Sequence, residues 1–564
     1  MTSLRKTSLF IISMFLLCSC SLFKGTESVS DMATSQPSET KILTNTAMSA
    51  SDDATITPTP FQPIFEPDKL FWSEAVPQTW VSNIGAFRNA VSADSADLVL
   101  SATTALQKDE IITKFQRIYA VGVPFPTVTD EVSLLDIISI WQGESSASGE
   151  FNQLYMTTET LNTFEELWGS PSIGNVKTVS EDALLEDVWN TVNALALIPF
   201  EDIQPKYKIL KVDGISPLDR PMNVEGYGLK VDYTLSGKPG VAEELSSEIE
   251  QLVASIPATN RDESKMAVVV MSGTTALARV TLRKIELNGV EYPVDKIKEW
   301  FLTADLRHVS NEVSFNEECE YTDAYTMQFC SKPEHIAVLE NLGVNVVEST
   351  GNHLVDYGVD YFRQTLAMYA ERNWLSFGGG YDAESAKQPA FTEVNGNKIA
   401  FIGCNPAGPA TDWATETRAG SANCDYPWFY QKISELKSQG YVVIATYQFE
   451  EISRTMYDEY YRVTFRDAAA AGADIVQGSQ SHVPMGFEFE GNSLIHYGLG
   501  NLLFDQMEPE NIREFVDRHI LYNGEYIGTE LLTATLTDWS RPVPMSESKR
   551  QQFLTELFAD SKMR

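Results

Sequence analysis

The chain has 564 residues, 43% hydrophobic and 11% aromatic, enough for packed cores in about two to four domain-sized units. Asp and Glu number 78 against 42 Lys and Arg, a net charge of −36. A surface of that sign repels polyanions over a Debye length, so a nucleic-acid partner is not expected.

In chain order, MTSLRK supplies a positive n-region. TSLFIISMFLLCSC supplies an apolar run too short to span a bilayer as a stable anchor. It ends in Leu17-Cys18-Ser19-Cys20, which resembles the lipobox of bacterial lipoproteins. That pattern wants an aliphatic residue three before the cysteine and a small one just before it. Cys20 meets both demands, whereas Cys18 follows the large Leu17. The expectation is a signal peptide over 1–20 and lipidation at Cys20. This would tether the chain to the cell membrane, facing the outside of the cytoplasm. A plain secretory signal is the alternative.

Residues 21–66 are Ser/Thr/Pro-rich without apolar periodicity and read as a flexible spacer. From 67 to 258, strand-like and helix-like segments alternate, which favours a sheet covered by helices. RIYAVGV reads as a strand. Ser133 reads as a helix N-cap with Asp136 at the third helical position. Leu134, Leu135, Ile137, Ile138 and Trp141 make the helix's apolar stripe, closed by Gly143. A polar joint, TNRDESK, follows.

Residues 266–542 form a second unit. KMAVVVMSG, GVNVVEST, KIAFIGCN, YVVIATY, ADIVQG and SLIHYGL are continuous apolar runs, as in strands buried on both faces. Helical segments lie between several of them, so polar clusters fall at strand ends. Residues 543–564 hold one amphipathic helix, its face made by Leu554, Leu557 and Phe558, expected to dock back on the domain. Cys319, Cys330, Cys404 and Cys424 lack CxxC spacing and are expected to pair locally, 319 with 330 and 404 with 424. Free buried thiols are the alternative.

Two resemblances sharpen this outline. VPFPTVTDEVSLLDIISIWQG, EELWGS and ALIPFEDIQPKYKILKVDGISP resemble stretches of phosphate-type periplasmic solute-binding proteins. That likeness implies an anion on helix N-termini near Thr127, Thr129 and Ser133. The alternative is an α/β domain that binds nothing small.

The stretches SGTTALAR, ADLRHVSNEVSF, TGNHLVDYG, SFGGGYDAESAKQP, KIAFIGCN, TYQFEE and GADIVQGSQSHVPMGFEFEGNSLIHYGLGN run from about Met266 to Gln506. In that order they resemble the CapA family of poly-gamma-glutamate capsule synthesis. The family resembles a branch of the calcineurin-like metallophosphoesterase fold. The resemblance implies an αββα sandwich, preceded here by a smaller α/β domain like a lobe of a binding protein. It also places Gly273, Arg279, Asp305, Asn311, Glu312, Asn352, His353, Asp356, His482 and Asn501 at motif positions.

Three positions depart from the pattern: Thr274 replaces an aspartate, and Gln448 (or Tyr447) and Gln480 replace histidines. A two-metal centre needs a bridging carboxylate and imidazoles, and a neutral threonine hydroxyl cannot bridge two cations. Either no cofactor is required, or one divalent ion binds weakly to Asn352, His353 and His482, with Asn311 a further candidate. Metal-free acid/base chemistry would draw on Glu312, His353, Glu450 and His482, with Asp356 nearby. Thr274, Arg279, Asn311, Asn352, Gln448 and Gln480 would bind the ligand, and Arg279 would neutralise an anion. Each has a framework alternative: Asp356 as a helix-start cap, Arg279 paired with Asp305, His353 hydrogen-bonded at a strand end.

The resemblance implies a surface-anchored protein for synthesis, attachment or processing of an extracellular polymer, such as poly-gamma-glutamate or capsule. A non-catalytic binding lipoprotein and a metal-dependent phosphoesterase are the alternatives.

Overall fold

The computed structural model describes residues 69–84, 89–323, 325–561 and 563. The expected signal peptide, the lipidated Cys20 and the spacer up to residue 66 lie outside the described residues. The architecture is mixed α/β, with the described residues in one unit, Phe65–Arg564.

The first region is organised by β1 (Glu110–Pro124), flanked by β2 (Ala194–Pro199), β3 (Tyr207–Val212) and β4 (Lys230–Gly237). All three pair antiparallel with it, Phe115 standing opposite Tyr233 and Tyr119 opposite Pro199. Helix α1 (Leu134–Trp141) starts where its cap predicts, the Asp136 amide donating to Ser133 Oγ at 3.0 Å. Ile137, Ile140 and Trp141 are buried, while Leu135 stays exposed, so the apolar stripe is narrower than the sequence suggests.

The donors proposed for an anion here already serve the chain's own carboxylates. Ser133 Oγ donates to Asp136 Oδ2 at 2.7 Å, the Leu134 amide to Asp213 Oδ2 at 3.3 Å, and Thr129 Oγ1 to Glu150 at 2.6 Å. The joint TNRDESK is laced down. Asn260 exchanges hydrogen bonds with the Ile118 backbone at 2.8 and 3.0 Å, and Arg261 Nε donates to the Pro217 carbonyl at 2.7 Å.

Among the described residues the second region contains two large sheets. One is built from β5 (Met266–Ser272), β6 (Thr274–Thr275), β7 (Leu306–Asn311), β8 (Val346–Glu348) and β9 (Leu375–Phe377). The other centres on β10 (Asn397–Cys404), β11 (Val442–Gln448), β12 (Ile475–Ser479) and β13 (Ser493–His496), paired in parallel. The antiparallel ribbon β14 (Arg513–Tyr522) and β15 (Glu525–Thr537) completes the first sheet, whose order runs β9-β8-β7-β5-β14-β15.

Strand periodicity explains the layering. In β5, Ala267, Val269 and Met271 share a core with Ile399 and Phe401 of β10 and Ile444 of β11, whereas Met266, Val268 and Val270 face the opposite layer. In β11, Val443, Ala445 and Tyr447 pack with Phe429 and Ile433 of α4 (Tyr426–Ser438) and Phe465 of α5 (Glu459–Ala470). Both faces of these strands are covered, which is why they are apolar throughout.

The tail departs from the single helix expected over 543–564. It begins as a strand, Arg541–Pro544, paired with β15, and continues as α6 (Glu547–Ser561). Phe553, Leu554, Leu557 and Phe558 are buried. Burial of such side chains contributes about 1.5–3 kcal/mol each. Phe553 packs on Phe515 with centroids 5.0 Å apart, and Phe558 meets Phe125 of the first region at 6.1 Å.

Candidate functional site

The polar residues after β5, β7, β8, β11 and β12 converge because parallel strands deliver their C-terminal ends to one edge of the sandwich. Close backbone approach joins the loops. The Thr274 amide donates to the Gly500 carbonyl at 3.0 Å, and a Cβ on Gly273 would stand 2.0 Å from that oxygen. The Gln480 amide donates to Thr274 Oγ1 at 3.4 Å, so these two positions are in contact.

The floor is a buried hydrogen-bonded chain. Gln448 Nε2 donates to Glu312 Oε1 at 2.8 Å and to Asn352 Oδ1 at 3.2 Å. Ser479 Oγ donates to Gln448 Oε1 at 2.6 Å, which fixes which end of the amide faces Glu312. Thr350 Oγ1 donates to Glu348 Oε1 at 2.5 Å. His308 Nε2 lies 3.3 Å from Glu348 Oε2 but without hydrogen-bond alignment. Glu312 is 1% exposed, and its Oε2 has no partner. Gln480 Oε1 is likewise buried and unpaired. Such groups cost about 1–3 kcal/mol each when left unmade.

One wall is His353 with Asp356. His353 Nδ1 lies 2.8 Å from Asp356 Oδ2 and donates to it, since an ionised carboxylate has no proton to give; in the neutral ring Nε2 is then the acceptor. The Phe329 amide also donates to Asp356 Oδ2, at 2.8 Å. Burial disfavours the imidazolium, but the Asp356 hydrogen bond and the charges of Glu312, Asp356 and Asp412 outweigh it and raise the His353 pKa. Asp412 is pushed up to about 7, first by desolvation and then by the Asp356 charge.

The opposite wall is His482, whose Nδ1 donates to Asn501 Oδ1 at 2.8 Å and whose ring stacks on Phe504 at 5.0 Å. Between the walls lies Arg279. It is committed to Asp505 through Nε at 3.0 Å and through Nη2, and to the Thr326 carbonyl at 3.1 Å. Its guanidinium carbon sits 4.5 Å from the Phe329 ring and 4.9 Å from the Phe504 ring. Arg279 is therefore a buried clamp and does not stand free to neutralise an anion. Nor does it pair with Asp305, which binds Arg220 instead.

Asn311 and Glu450 make contacts other than those expected. Asn311 spends its amide on the Val313 carbonyl at 2.7 Å and Tyr369 OH at 2.6 Å, inside the core. Glu450 is exposed and interacts with Tyr461, not with Glu312 or His353. Strand alternation decides this: Gln448, not Tyr447, faces the other sheet. Sequence reasoning also passed over Glu348, Asp412 and Asp505. Asp412 sits within the loop closed by the Cys404–Cys424 disulfide, and Phe329 within the one closed by Cys319–Cys330. Those brackets were the available signal.

Arg279, Gln480 and His482 all hold left-handed backbone, with φ of 50°, 72° and 53°. Non-glycine residues there store about 1–3 kcal/mol each and cluster at functional sites.

At the three altered positions the chain offers a hydroxyl, Thr274, and two amides, Gln448 and Gln480. Among the described residues, no three His, Cys, Asp or Glu side chains are placed to hold an ion. The oxygens of Glu312 and Asn352 converge on a Gln448 N–H group, a donor that repels a cation from that position.

The fold is an α/β domain of two main sheets with a buried polar cluster at the strand ends. Residues 268–506 match the family described as bacterial capsule synthesis protein PGA_cap. The PGA biosynthesis protein CapA of Bacillus subtilis (strain 168) is 26% identical over 297 residues, 51% of this chain and 77% of that protein. The capsule biosynthesis protein CapA of Bacillus anthracis is 24% identical over 266 residues, 46% of this chain and 64% of that protein. The C-terminal domain is thus of the CapA family. Among solved structures, an ABC-type phosphate transport receptor from Vibrio cholerae aligns at TM-score 0.27 and 13% identity, over 33% of this chain and 93% of that one. At that score the likeness says nothing about a ligand.

Proposed function

We propose that this protein acts at the cell surface in synthesis, attachment or processing of an extracellular polymer, through acid/base chemistry in the cleft. The similarity to the two CapA proteins supports a role in making capsule or poly-gamma-glutamate. The lipobox-like Leu17-Cys18-Ser19-Cys20 supports a lipid anchor at Cys20.

One observation carries the reading of a working cleft. Strained Arg279, Gln480 and His482 and the unpaired oxygens of Glu312 and Gln480 occur at one set of strand ends. Such costs recur where a site is built, although single instances also occur elsewhere in this fold. In this reading His353, oriented by Asp356, shuttles a proton at Nε2, and Glu312 supplies the negative charge that stabilises its imidazolium. In this reading a Gln448 N–H group takes the position between the Glu312 and Asn352 oxygens, and the chemistry requires no metal ion.

The test uses the purified full chain without chelators. Metal content is measured, then cleavage and transfer of gamma-glutamyl oligomers, with His353→Ala as control. Turnover that needs His353 and no stoichiometric metal supports the proposal. Two bound equivalents would overturn its metal-free part. Absence of turnover on every polymer tried would favour a non-catalytic binding lipoprotein.

A further inference from the structure

A cavity lies away from the cleft, where the first region meets the β14–β15 ribbon and α6. Its volume is about 710 Å³. Its walls come from β3, β15, α6 and α3 (Lys298–Leu302), and no residue of the cleft lines it. Phe125, Leu531, Leu554 and Phe558 make an apolar floor, with Trp300 and Met545 half-buried beside it. A mostly apolar cavity of this size between two regions, with a few polar groups, is the usual form of a small-molecule site.

The polar lining is unevenly paired. Arg518 pairs with Glu530 and Arg220 with Asp305, while Asp219 accepts the Ser216 amide at 3.1 Å. Glu131, Lys211 and Glu299 are exposed, where water screens them. Lys208 and Arg550 instead share one carboxylate, Asp130, at 2.6 and 3.0 Å. Lys208 completes its three donations on the Thr127 and Val128 carbonyls at 2.8 and 3.0 Å. Arg550 does not complete its own. Its Nη2 also donates to the Leu531 carbonyl at 3.0 Å, but among the described residues nothing accepts from its buried Nη1. Burial pushes Lys208 down to about 8; Asp130 opposes that shift and the Arg550 charge adds to it. Around Asp130 a strongly acidic chain is thus short of one negative charge.

A second orphan group lies beside the first. Thr533 lines the same cavity, is 4% exposed, and its Oγ1 has no partner among the described residues. It follows Leu531 by two positions, so it repeats that residue's orientation on β15, about 6.7 Å along the strand. The Met545 amide holds the Thr533 carbonyl at 3.0 Å, as Arg550 holds that of Leu531. One carboxylate that accepts a hydrogen bond on each oxygen covers such a span. A buried guanidinium N–H and a buried hydroxyl are costly when left unmade, and a ligand oxygen on each removes that cost.

We infer that this cavity binds a small monocarboxylate with an apolar body, the carboxylate on Arg550 Nη1 and Thr533 Oγ1 and the body on Phe125, Leu554 and Phe558. Such a ligand bridges the first region and α6. The site is independent of the cleft and of its acid/base chemistry.

Binding is measured by calorimetry on the purified full chain at neutral pH, with decanoate, acetate, decanol and decyl phosphate as probes. Decanoate should bind in a single saturable step, and acetate and decanol should each bind about 10-fold more weakly or worse. Thr533→Val removes the hydroxyl and keeps the shape. It should weaken decanoate about 5-fold while raising the melting temperature of the free protein, because an unpaired buried group is gone. Arg550→Gln should weaken decanoate about 10-fold and leave decanol unchanged. No saturable decanoate binding would overturn the inference. Equal binding of decanol would overturn the acid group, and equal binding of acetate the apolar body. Tighter binding of decyl phosphate would replace the carboxylate with a phosphate head. Decanoate binding untouched by both variants would overturn the placement.

Discussion

Gln448 places its side-chain N–H group between Glu312 Oε1, at 2.8 Å, and Asn352 Oδ1, at 3.2 Å, across 136 and 96 positions of sequence. A neutral amide thus does the work of a cation in holding two oxygens together. The orientation is enforced from behind by Ser479. Gln448→Met keeps the length and removes both donors, stranding a buried carboxylate. It should destabilise the protein by about 1–3 kcal/mol. Urea unfolding of the full chain measures this, and an unchanged midpoint would show that the bond contributes nothing.

The same relationship predicts how metal affinity returns. Thr274→Asp with Gln480→His should gain little while the Gln448 amide keeps its place. Adding Gln448→His should raise divalent-metal affinity sharply, read by calorimetry and by metal content after gel filtration. If the double variant already binds as tightly as the triple, Gln448 is not the obstacle.

Titration provides an independent check. The folded pKa of His353 lies above its unfolded value of 6.5, so its contribution is fully present below 6.5 and is lost as pH rises through the folded pKa. Asp356→Asn should lower the pKa seen by NMR and abolish that dependence. Asp412 is raised from 3.8 to about 7, so between those values the folded state binds more protons and stability falls as pH rises. Asp412→Asn should flatten the curve in that window. A slope unchanged by this substitution would place its cause elsewhere.

Arg279 and Asp505 are both buried, and the guanidinium is capped by two phenyl rings. Arg279→Met leaves Asp505 uncompensated and should cost about 3–5 kcal/mol. Asp505→Leu in the same chain should recover much of it, because two apolar groups replace the pair. A double-mutant cycle gives the coupling directly. A single variant that unfolds normally but loses only anion binding would reinstate Arg279 as a ligand group.

The two regions share aromatic packing. Phe125 touches Phe487 and Phe489 edge-on at 5.5 and 5.3 Å and reaches Phe558 of α6. Phe125→Ala should cost about 3–5 kcal/mol and lower the calorimetric transition of the region that contains α6. A shift confined to residues before the joint would mean that the regions are energetically separate.

Much of this architecture is legible in local sequence. The continuous apolar runs at Met266–Ser272 and Val442–Gln448 announce strands covered on both sides. Ser133 announces the start of its helix through a single side-chain oxygen. Thr274 and Gln480 are identifiable as altered site positions because their flanking glycines and strands keep their spacing. All of these are local properties, set by backbone sterics and by which face of one element is buried.

Partnership across the sandwich was decided only by tertiary packing. Arg279 chose Asp505, 226 positions away, over nearer Asp305, because the β6 and Asn501 loops are drawn together at the Gly273–Gly500 contact. Glu450 reads as a catalytic carboxylate in TYQFEE, yet the period of β11 turns Gln448 inward and leaves Glu450 in solvent. Asp412 gains its character from burial and then from the Asp356 charge, neither of which is encoded near it in the chain. Local pattern determined the elements and the places where site loops begin. Long-range desolvation and pairing decided which side chains those loops bring together, because an ionisable group's energy depends on its spatial neighbours.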